Sequence, residues 1–297
     1  ISRGIRQGKT INYSDFGELY LPVPPEEEQR SIASQLDEKT GQIDKYIAKK
    51  RELIDLLETQ RRAIINRAVT RGLDDGVEMK DSESRFFPSI PSHWEETQLK
   101  HLCHDIADGP HHSPNYVDDG IPFLSVRNVK VNGWDFDDLV YIDEENYEAF
   151  CDRVVPEYGD VLYTKGGTTG IAKAVDFDQR FQVWVHLAVL KVRKDLIDPF
   201  FLAHMLNSRG CYDQSQLYTR GAANQDLGLT RMARIDLLRP PLEEQKQIVN
   251  HIDERTSEID DAIDQAKRQI ELMEQYRTSL VTEVVTGQVD VRDKVKA

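Results

Sequence analysis

Cysteine is scarce in this sequence, and long apolar runs are missing. The 297 residues include three cysteines, Cys103, Cys151 and Cys211, and an odd, widely spaced set favours reduced thiols over a disulfide framework. No stretch reaches the roughly 18 consecutive apolar residues that a membrane span needs. The two arginines among the first seven residues are not followed by the apolar run of a signal peptide. We therefore expect a cytoplasmic protein without a membrane partner.

Signatures of common enzyme classes are also missing. There is no Gly-x-x-x-x-Gly-Lys phosphate loop, no Gly-x-Gly-x-x-Gly, no His-Glu-x-x-His and no Asn-Pro-Pro-aromatic motif of an adenine methyltransferase. Cys103, His104, His111 and His112 lie close together in the sequence, but their spacing fits no standard zinc pattern. We expect no catalytic residue, no metal and no cofactor.

Positive charge is in short supply. The chain has 38 Lys and Arg against 52 Asp and Glu, a net charge of −14. A protein that coats DNA irrespective of sequence needs a basic field, so this balance argues against that role. It still permits a protein that contacts DNA through a few local basic loops inside a larger assembly.

The chain contains a duplicated segment. Residues 21–74 and 237–290 align without a gap at an offset of 216 residues, and 20 of the 54 aligned positions are identical. The identities include the Pro-Pro pairs at 24–25 and 240–241 and the Glu-Glu-Gln triplets at 27–29 and 243–245. An ungapped match of this length indicates a repeat.

Each copy is predicted to form one long helix. Paired prolines fix φ just before a Glu-rich first turn, where negative charge stabilises a helix N-terminus. Residues then recur at alternating steps of four and three, the heptad pattern typical of a coiled coil. At 1.5 Å per residue, a helix of about 44 residues is roughly 65 Å long. The seam positions are Leu36, Thr40, Ile43, Ile47, Lys50, Ile54, Leu57, Arg61, Ile64 and Ala68, and Ile252, Thr256, Ile259, Ile263, Ala266, Ile270, Met273, Arg277, Leu280 and Val284.

A seam of this length needs a covering surface. We expect the two helices to pair as an antiparallel coiled coil, because a compact domain between them lets the second helix start near the end of the first. In that arrangement Arg61 lies toward Thr256 and Thr40 toward Arg277, with both arginines accessible to solvent. The alternative is a pair of ordinary surface helices packed on a globular domain. Candidate partner-binding residues on the helices are Glu28, Gln29, Ile32, Ile43, Ile54, Glu244, Gln245, Ile248, Ile259 and Ile270.

A compact α+β domain is predicted between the repeats. The acidic stretch 73–84 lacks periodicity and is predicted to be a linker, which leaves 85–238 for the domain. β-type runs at 123–126, 161–164, 171–175 and 181–192 alternate with turn signals, and 200–207 and 208–217 are predicted to be helical. Trp134 and Trp184 lie in strand-like runs and are predicted to belong to the core.

Three loops of this domain carry chemistry suited to nucleic acid. Residues 108–114 offer imidazoles and a hydroxyl, and 164–170 offer backbone N–H groups, hydroxyls and Lys165, which we expect to contact a phosphate. Residues 220–225 offer an arginine and two amides, the side chains suited to guanine and adenine. Each loop alone is a weak signal, because a Gly- and Thr-rich hairpin loop is usually only a turn. The candidate DNA-binding residues are Gly109, His111, His112, Ser113, Arg127, Asn128, Lys165, Gly166, Thr168, Thr169, Arg220, Asn224 and Gln225.

Several motifs together resemble the specificity subunit of type I restriction–modification enzymes. They are Leu-Pro-Val-Pro-Pro-Glu-Glu-Glu-Gln at 21–29, Arg-Pro-Pro-Leu-Glu-Glu-Gln at 239–245, Ala-Val-Thr-Arg-Gly-Leu-Asp at 68–74 and Ile-Pro-Ser-His-Trp at 90–94. The resemblance covers nearly the whole chain. It implies the tail of a first target-recognition domain at 1–23, conserved helical regions at 24–72 and 239–287, a target-recognition domain at 85–238 and a C-terminal tail at 288–297.

The resemblance also implies a function and one departure from the family pattern. It implies a non-catalytic subunit whose domain reads one half of a split site on double-stranded DNA. The helices would set the spacing between the two halves of the site. They would also bind two methyltransferase subunits and, through them, recruit restriction subunits. The family usually has two recognition domains, so this chain is expected to be a fragment or a short form that dimerises. The alternative function is a coiled-coil scaffold whose middle domain binds a protein.

Overall fold

The computed structural model describes residues 3–4, 9–10, 13, 17–18, 20, 23–221 and 225–289. The chain divides into two compact units. Unit 1 comprises residues 1–58 and 260–297, and unit 2 comprises residues 59–259. The two long helices each run through both units, so part of each helix belongs to each unit.

Helices and strands both contribute, as the α+β expectation required. The helices are α1 (Glu26–Arg71), α2 (Glu144–Cys151), α3 (Pro199–Leu206), α4 (Arg209–Tyr218), α5 (Leu229–Met232) and α6 (Leu242–Val285). The strands are β1 (Arg3–Gly4), β2 (Lys9–Thr10), β3 (Met79–Asp81), β4 (Ser89–Pro91), β5 (Glu95–Gln98), β6 (Cys103–Asp108), β7 (Tyr116–Val117), β8 (Ile121–Leu124), β9 (Val129–Lys130), β10 (Gly133–Trp134), β11 (Val140–Ile142), β12 (Val161–Thr164), β13 (Ala172–Ala174), β14 (Gln182–Val183), β15 (Leu187–Val192) and β16 (Asp236–Arg239).

The repeated segments form the long helices. Helix α1 has 46 residues and α6 has 44, and each begins directly after a Pro-Pro pair with glutamates in its first turn. Within the stretches of chain that the structure describes, no helix combines the length and apolarity needed to cross a membrane.

In unit 1 the two helices bury seam positions and contact each other. Ile43, Ile47, Ile263 and Ala266 are buried. Polar contacts flank them: Tyr46 Oη donates to Gln269 Oε1 at 3.1 Å, Arg51 Nη2 lies 3.3 Å from Glu274 Oε1, and Arg277 Nε lies 3.5 Å from Asp44 Oδ1.

Unit 2 contains two four-stranded sheets. The first has the order β13-β12-β15-β6 and is antiparallel throughout. The second has the order β14-β8-β11-β7, in which only β14 and β8 are parallel. The predicted single run 181–192 is therefore two strands, because β14 pairs in the second sheet and β15 in the first.

The main core of unit 2 joins the first sheet to the ends of the long helices. Trp94, Tyr163 and Phe201 are fully buried. Ile65 and Val69 of α1 and Ile248 and Ile252 of α6 belong to the same cluster of buried side chains. The helix ends thus contribute to the hydrophobic core of the domain that they flank.

One expectation about the seam is wrong. Arg61 was expected to remain accessible, but it is only 8% exposed, and its Nη1 donates to Asn132 Oδ1 at 2.6 Å. A buried guanidinium needs such acceptors to offset its lost hydration. Arg277 keeps the expected access, with half of its side chain exposed.

Candidate functional site

The candidate loops meet because of strand register in the first sheet. Strand β6 ends at Asp108, which pairs with Ala188 near the start of β15. Strand β12 ends at Thr164, which pairs with Leu187, also near the start of β15. The loops that follow β6 and β12, and the residues that precede β15, therefore emerge at one edge of the sheet.

Backbone hydrogen bonds add the third loop to this edge. Gly167 N donates to Gln225 O at 3.1 Å, and Leu227 N donates to Lys165 O at 2.7 Å. Asp226 also forms isolated bridges with Gly166 and with Arg220. Asn224 lies outside the described residues.

The turn after β8 lies beside the other loops. Val183 pairs with Leu124, and Trp184 N donates to Leu124 O at 2.8 Å, so the β14–β15 connection runs next to this turn. We call the combined surface, residues 108–116, 125–128, 164–170, 184–186, 219–221 and 225–226, the loop edge.

A chain of buried and half-buried charges ties the loop edge together. Lys165 Nζ lies 3.2 Å from Asp108 Oδ2 and 3.3 Å from Asp226 Oδ1. Arg153 Nη2 binds the other oxygen of Asp108, and Arg231 Nη2 lies 3.2 Å from Asp226 Oδ2. These five side chains connect three loops, so the positions of the loops depend on one another.

This geometry argues against the phosphate contact expected for Lys165. Its side chain is 8% exposed and lies between two carboxylates, whereas a phosphate contact requires a charge that solvent can reach. The ammonium group instead holds the β12–β13 loop against the other two loops.

Four further candidates are buried and have structural partners. A Cβ at Gly109 would collide with the backbone of Val183, and a Cβ at Gly166 would collide with the ring of His186. Thr169 Oγ1 lies 3.0 Å from Thr219 Oγ1. Asn128 Oδ1 accepts from Ser125 N at 2.8 Å, which closes the turn after β8. These residues shape the loop edge and do not present their side chains to a ligand.

The other candidates are exposed on the loop edge. They include imidazole, hydroxyl, guanidinium and amide groups, all able to bond with phosphates or base edges. They are His111, His112, Ser113, Arg127, Thr168, Arg220 and Gln225.

Two features of the site were missed by sequence reasoning. Asp108, Arg153, Asp226 and Arg231 were not singled out, because nothing in the sequence joins charges so far apart. Trp184 was assigned to the core, but it is half-buried and lines a cavity of about 410 Å³ with Tyr116, Phe123, Ser125, Val126, Arg127, Asn128, Asp138, Val140 and His186.

The candidate partner-binding residues on the two long helices differ in how far they are buried. Gln245 and Ile248 are fully buried within unit 2, and Gln245 Oε1 accepts from Asp198 N at 2.7 Å. Glu244 accepts from Trp94 Nε1 at 3.1 Å. These three residues support the fold. Ile43 and Ile259 are also buried, Glu28, Ile32, Ile54 and Ile270 are half-buried, and Gln29 is exposed.

Cys103 and Cys211 have the properties of core residues. Burial raises the pKa of Cys103 and of Cys211 to about 12, so both thiols stay protonated at neutral pH. Across residues 23–221 and 225–289, no group of three or more His, Cys, Asp or Glu side chains is placed to hold a metal ion.

Comparison with known proteins gives consistent matches. The family model for the type I restriction modification DNA specificity domain matches residues 91–272. The MjaVIII specificity subunit of a type I restriction enzyme from Methanocaldococcus jannaschii is 25% identical over 287 residues, covering 94% of this chain and 64% of that protein. The EcoBI specificity subunit from Escherichia coli is 24% identical, covering 95% of this chain and 60% of that protein.

A solved structure supports the same fold. It concerns complex assembly and conformational transition of the type I R-M system, and its matching chain superposes with a TM-score of 0.65 at 18% identity, covering 89% of this chain and 60% of that one. The present chain thus spans between 60% and 64% of the length of these relatives.

Proposed function

The chain belongs to the family of type I restriction–modification DNA specificity domains, and we propose that it is a non-catalytic DNA-recognition subunit of such a system. The loop edge is the surface that binds double-stranded DNA and reads one half of a split target site. The observation that carries this proposal is the convergence of exposed donors, including Arg127, Thr168 and Arg220, on the loop edge.

The loop edge suits this task because its backbone is well supported. Charge pairs and backbone bonds hold the loops in one arrangement before any ligand arrives. A preorganised site loses less conformational freedom on binding. Arg127 and Arg220 supply donors for guanine or phosphate, and Gln225 supplies an amide that matches adenine.

We assign the two long helices to an antiparallel coiled coil that sets the distance between half-sites. The contacts of Asp44 with Arg277 and of Arg51 with Glu274 support this direction, because the residue number falls on α6 as it rises on α1. All seam positions of the heptad pattern except Arg277 are buried or half-buried.

The helices also provide the surface for the other subunits. Exposed and half-buried positions such as Gln29, Ile32 and Ile54 would contact methyltransferase subunits, and restriction subunits would join through them. We place the assembly in the cytoplasm, where it meets DNA, and assign it no cofactor bound by this chain.

Selection from a random duplex pool tests the proposal. The purified chain, with the methyltransferase subunit of its own system, should enrich one half-site sequence. Arg220→Ala should lower the affinity for the enriched duplex about tenfold or more, as expected when a base or phosphate contact is lost. Arg234→Ala is the matched control, because this exposed arginine follows Ala233, whose carbonyl accepts from Lys100 N at 3.0 Å. Lys100 precedes β6, at the end of that strand opposite to the loop edge.

A pool that shows no enrichment, while the chain still binds the methyltransferase subunit, would contradict DNA recognition. That outcome would favour a scaffold whose middle domain binds protein.

A further inference from the structure

Part of the loop edge lines an aromatic cavity in unit 2. Its volume is about 410 Å³. Three aromatic residues line the cavity. Phe123 is only 2% exposed, Tyr116 is 57% exposed, and Trp184 is half-buried. The ring centroids of Phe123 and Trp184 lie 5.7 Å apart in an edge-to-face arrangement. Tyr116 and Trp184 thus keep part of their ring surface accessible to a ligand.

Unpaired polar groups border the same cavity. Arg127 and Asp138 both line it and are exposed. No ion pair joins them to each other or to any other side chain in the described part of the chain. The guanidinium offers donors and the carboxylate offers acceptors. A nucleobase carries both kinds of group on its Watson–Crick edge, whereas an aliphatic or aromatic side chain does not.

The cavity is continuous with the loops that carry the DNA-binding candidates. His186 lines the cavity, and its ring packs on the backbone of Gly166. His186 O accepts from Lys165 N at 2.8 Å and from Gly166 N at 3.3 Å. A duplex that lies on the loop edge would therefore pass the mouth of the cavity.

We propose that this cavity binds one nucleobase of the target duplex after that base has turned out of the base stack. Trp184 and Tyr116 stack on the base, and Arg127 and Asp138 bond to its edge, which makes these four residues determinants of specificity. The inference rests on the proposed DNA-recognition function. The size of the cavity favours a whole base over a thymine methyl group, which would leave most of it empty.

Removal of pairing partners tests the proposal. A base leaves the stack more readily when its partner base is absent. Duplexes of the selected target are made with one abasic site at a time and are bound by the chain with its methyltransferase subunit. At one position of the half-site, loss of the opposite base should tighten binding about tenfold. 2-Aminopurine at that position should brighten on binding, as an unstacked base does.

Variants assign the effect to the cavity. Arg127→Ala and Tyr116→Ala change exposed side chains, so the fold should persist. In both variants, the abasic duplex should no longer bind more tightly than the complete duplex. Trp184→Leu should do the same. The controls are Arg234→Ala and Tyr158→Ala, which change an exposed arginine and a 49% exposed tyrosine away from the cavity and should keep the gain.

Two results would overturn the inference while leaving DNA recognition intact. In the first, sequence selection persists but no abasic position tightens binding. In the second, Arg127→Ala and Tyr116→Ala keep the full gain. If only replacement of thymine by deoxyuridine weakens binding, the cavity contacts a methyl group of a stacked base, and the proposal of an extrahelical base is rejected.

Discussion

Buried charges at the loop edge position the exposed ones. Asp108 is 5% exposed on its side chain and binds both Lys165 and Arg153. Such a group is costly to bury alone, but its partners offset that cost as long as each one remains. Side chains that never touch a ligand can therefore control where Arg220 and Gln225 lie.

We predict that Lys165→Ala lowers stability. Removal of the ammonium group leaves Asp226 with Arg231 and Asp108 with Arg153, so the loss is smaller than for a fully unpaired buried charge. The free energy of unfolding should fall by about 2 kcal/mol, measured by urea denaturation. Thr168→Ala, in the same loop but exposed, should change it by less than about 0.5 kcal/mol.

An unchanged stability for Lys165→Ala, together with a DNA-binding salt slope reduced by about one, would restore the phosphate contact first expected for this residue.

His204 should make stability depend on pH. Burial and the positive charges of Lys173 and Arg61 lower the pKa of His204 to about 4. Because the unfolded chain has an ordinary pKa near 6.5, it binds a proton that the folded chain does not bind as the pH falls below that value. Stability is thus fully present above about pH 6.5 and is lost as the pH falls toward 4.

Urea denaturation at pH 7.5 and pH 5 measures this loss. The wild-type chain should lose about 1 to 2 kcal/mol more of its unfolding free energy than His204→Gln over that interval. Asp253, whose pKa is raised by burial, acts in the opposite direction and is present in both chains, so it cancels in the comparison. Parallel pH profiles for the two chains would refute the prediction.

Sequence alone singled out three loops that the structure brings together, but it did not predict which of their side chains are exposed. The Gly-Gly-Thr-Thr loop and the Arg-Gly segment are visible as turn chemistry, and the structure places both on the loop edge. The burial of Lys165 depends on Asp108 and Asp226, which are distant in sequence. No local pattern encodes such a pairing.

At the scale of elements, periodicity was the strongest signal. The heptad pattern and the Pro-Pro pairs with glutamates in the following turn predicted two helices close to their observed bounds, because these signals are local. The run at 181–192 was harder, because β14 and β15 both have strand-forming residues and only their different partners divide them.

The proposed antiparallel pairing predicts a specific crosslink. Asp44 contacts Arg277 and Arg51 contacts Glu274 in unit 1. Continuing that register places Leu57 beside Ile263. With Cys103, Cys151 and Cys211 replaced by serine or alanine, a chain with Leu57→Cys and Ile263→Cys should form an intrachain disulfide rapidly under mild oxidation. Replacing half-buried Leu57 and buried Ile263 lowers stability, but the other seam positions still pack.

The matched control pairs Leu57→Cys with Met273→Cys. Leu57 and Met273 occupy equivalent positions of the two repeats, so they would meet only if the helices were parallel. Efficient crosslinking of this second pair within one chain, and none of the first, would exclude the antiparallel arrangement.

For the whole molecule, the net charge of −14 sets a limit on DNA binding. Repulsion between the acidic chain and the phosphates opposes association at long range. Few cations on the loop edge are exposed, since Lys165 is enclosed between Asp108 and Asp226. In the proposed assembly, the methyltransferase subunits must supply most of the phosphate contacts, while this chain supplies the selection of sequence.

The salt dependence of DNA binding tests this division of labour. Each neutralised phosphate contributes about −0.9 to the slope of log Kobs against log salt concentration. We predict a shallow slope for the chain alone, corresponding to about two or three contacts, and a slope steeper by several units for the complex with its methyltransferase subunit. Arg220→Ala should make the slope of both about one unit shallower if this arginine binds a phosphate, and should leave it unchanged if it reads a base. Fluorescence anisotropy with the selected duplex at several salt concentrations gives all four slopes. Equal slopes for the chain and the complex would mean that the recognition domain makes the phosphate contacts itself, and the acidic balance would then have no explanation in the partner's charge.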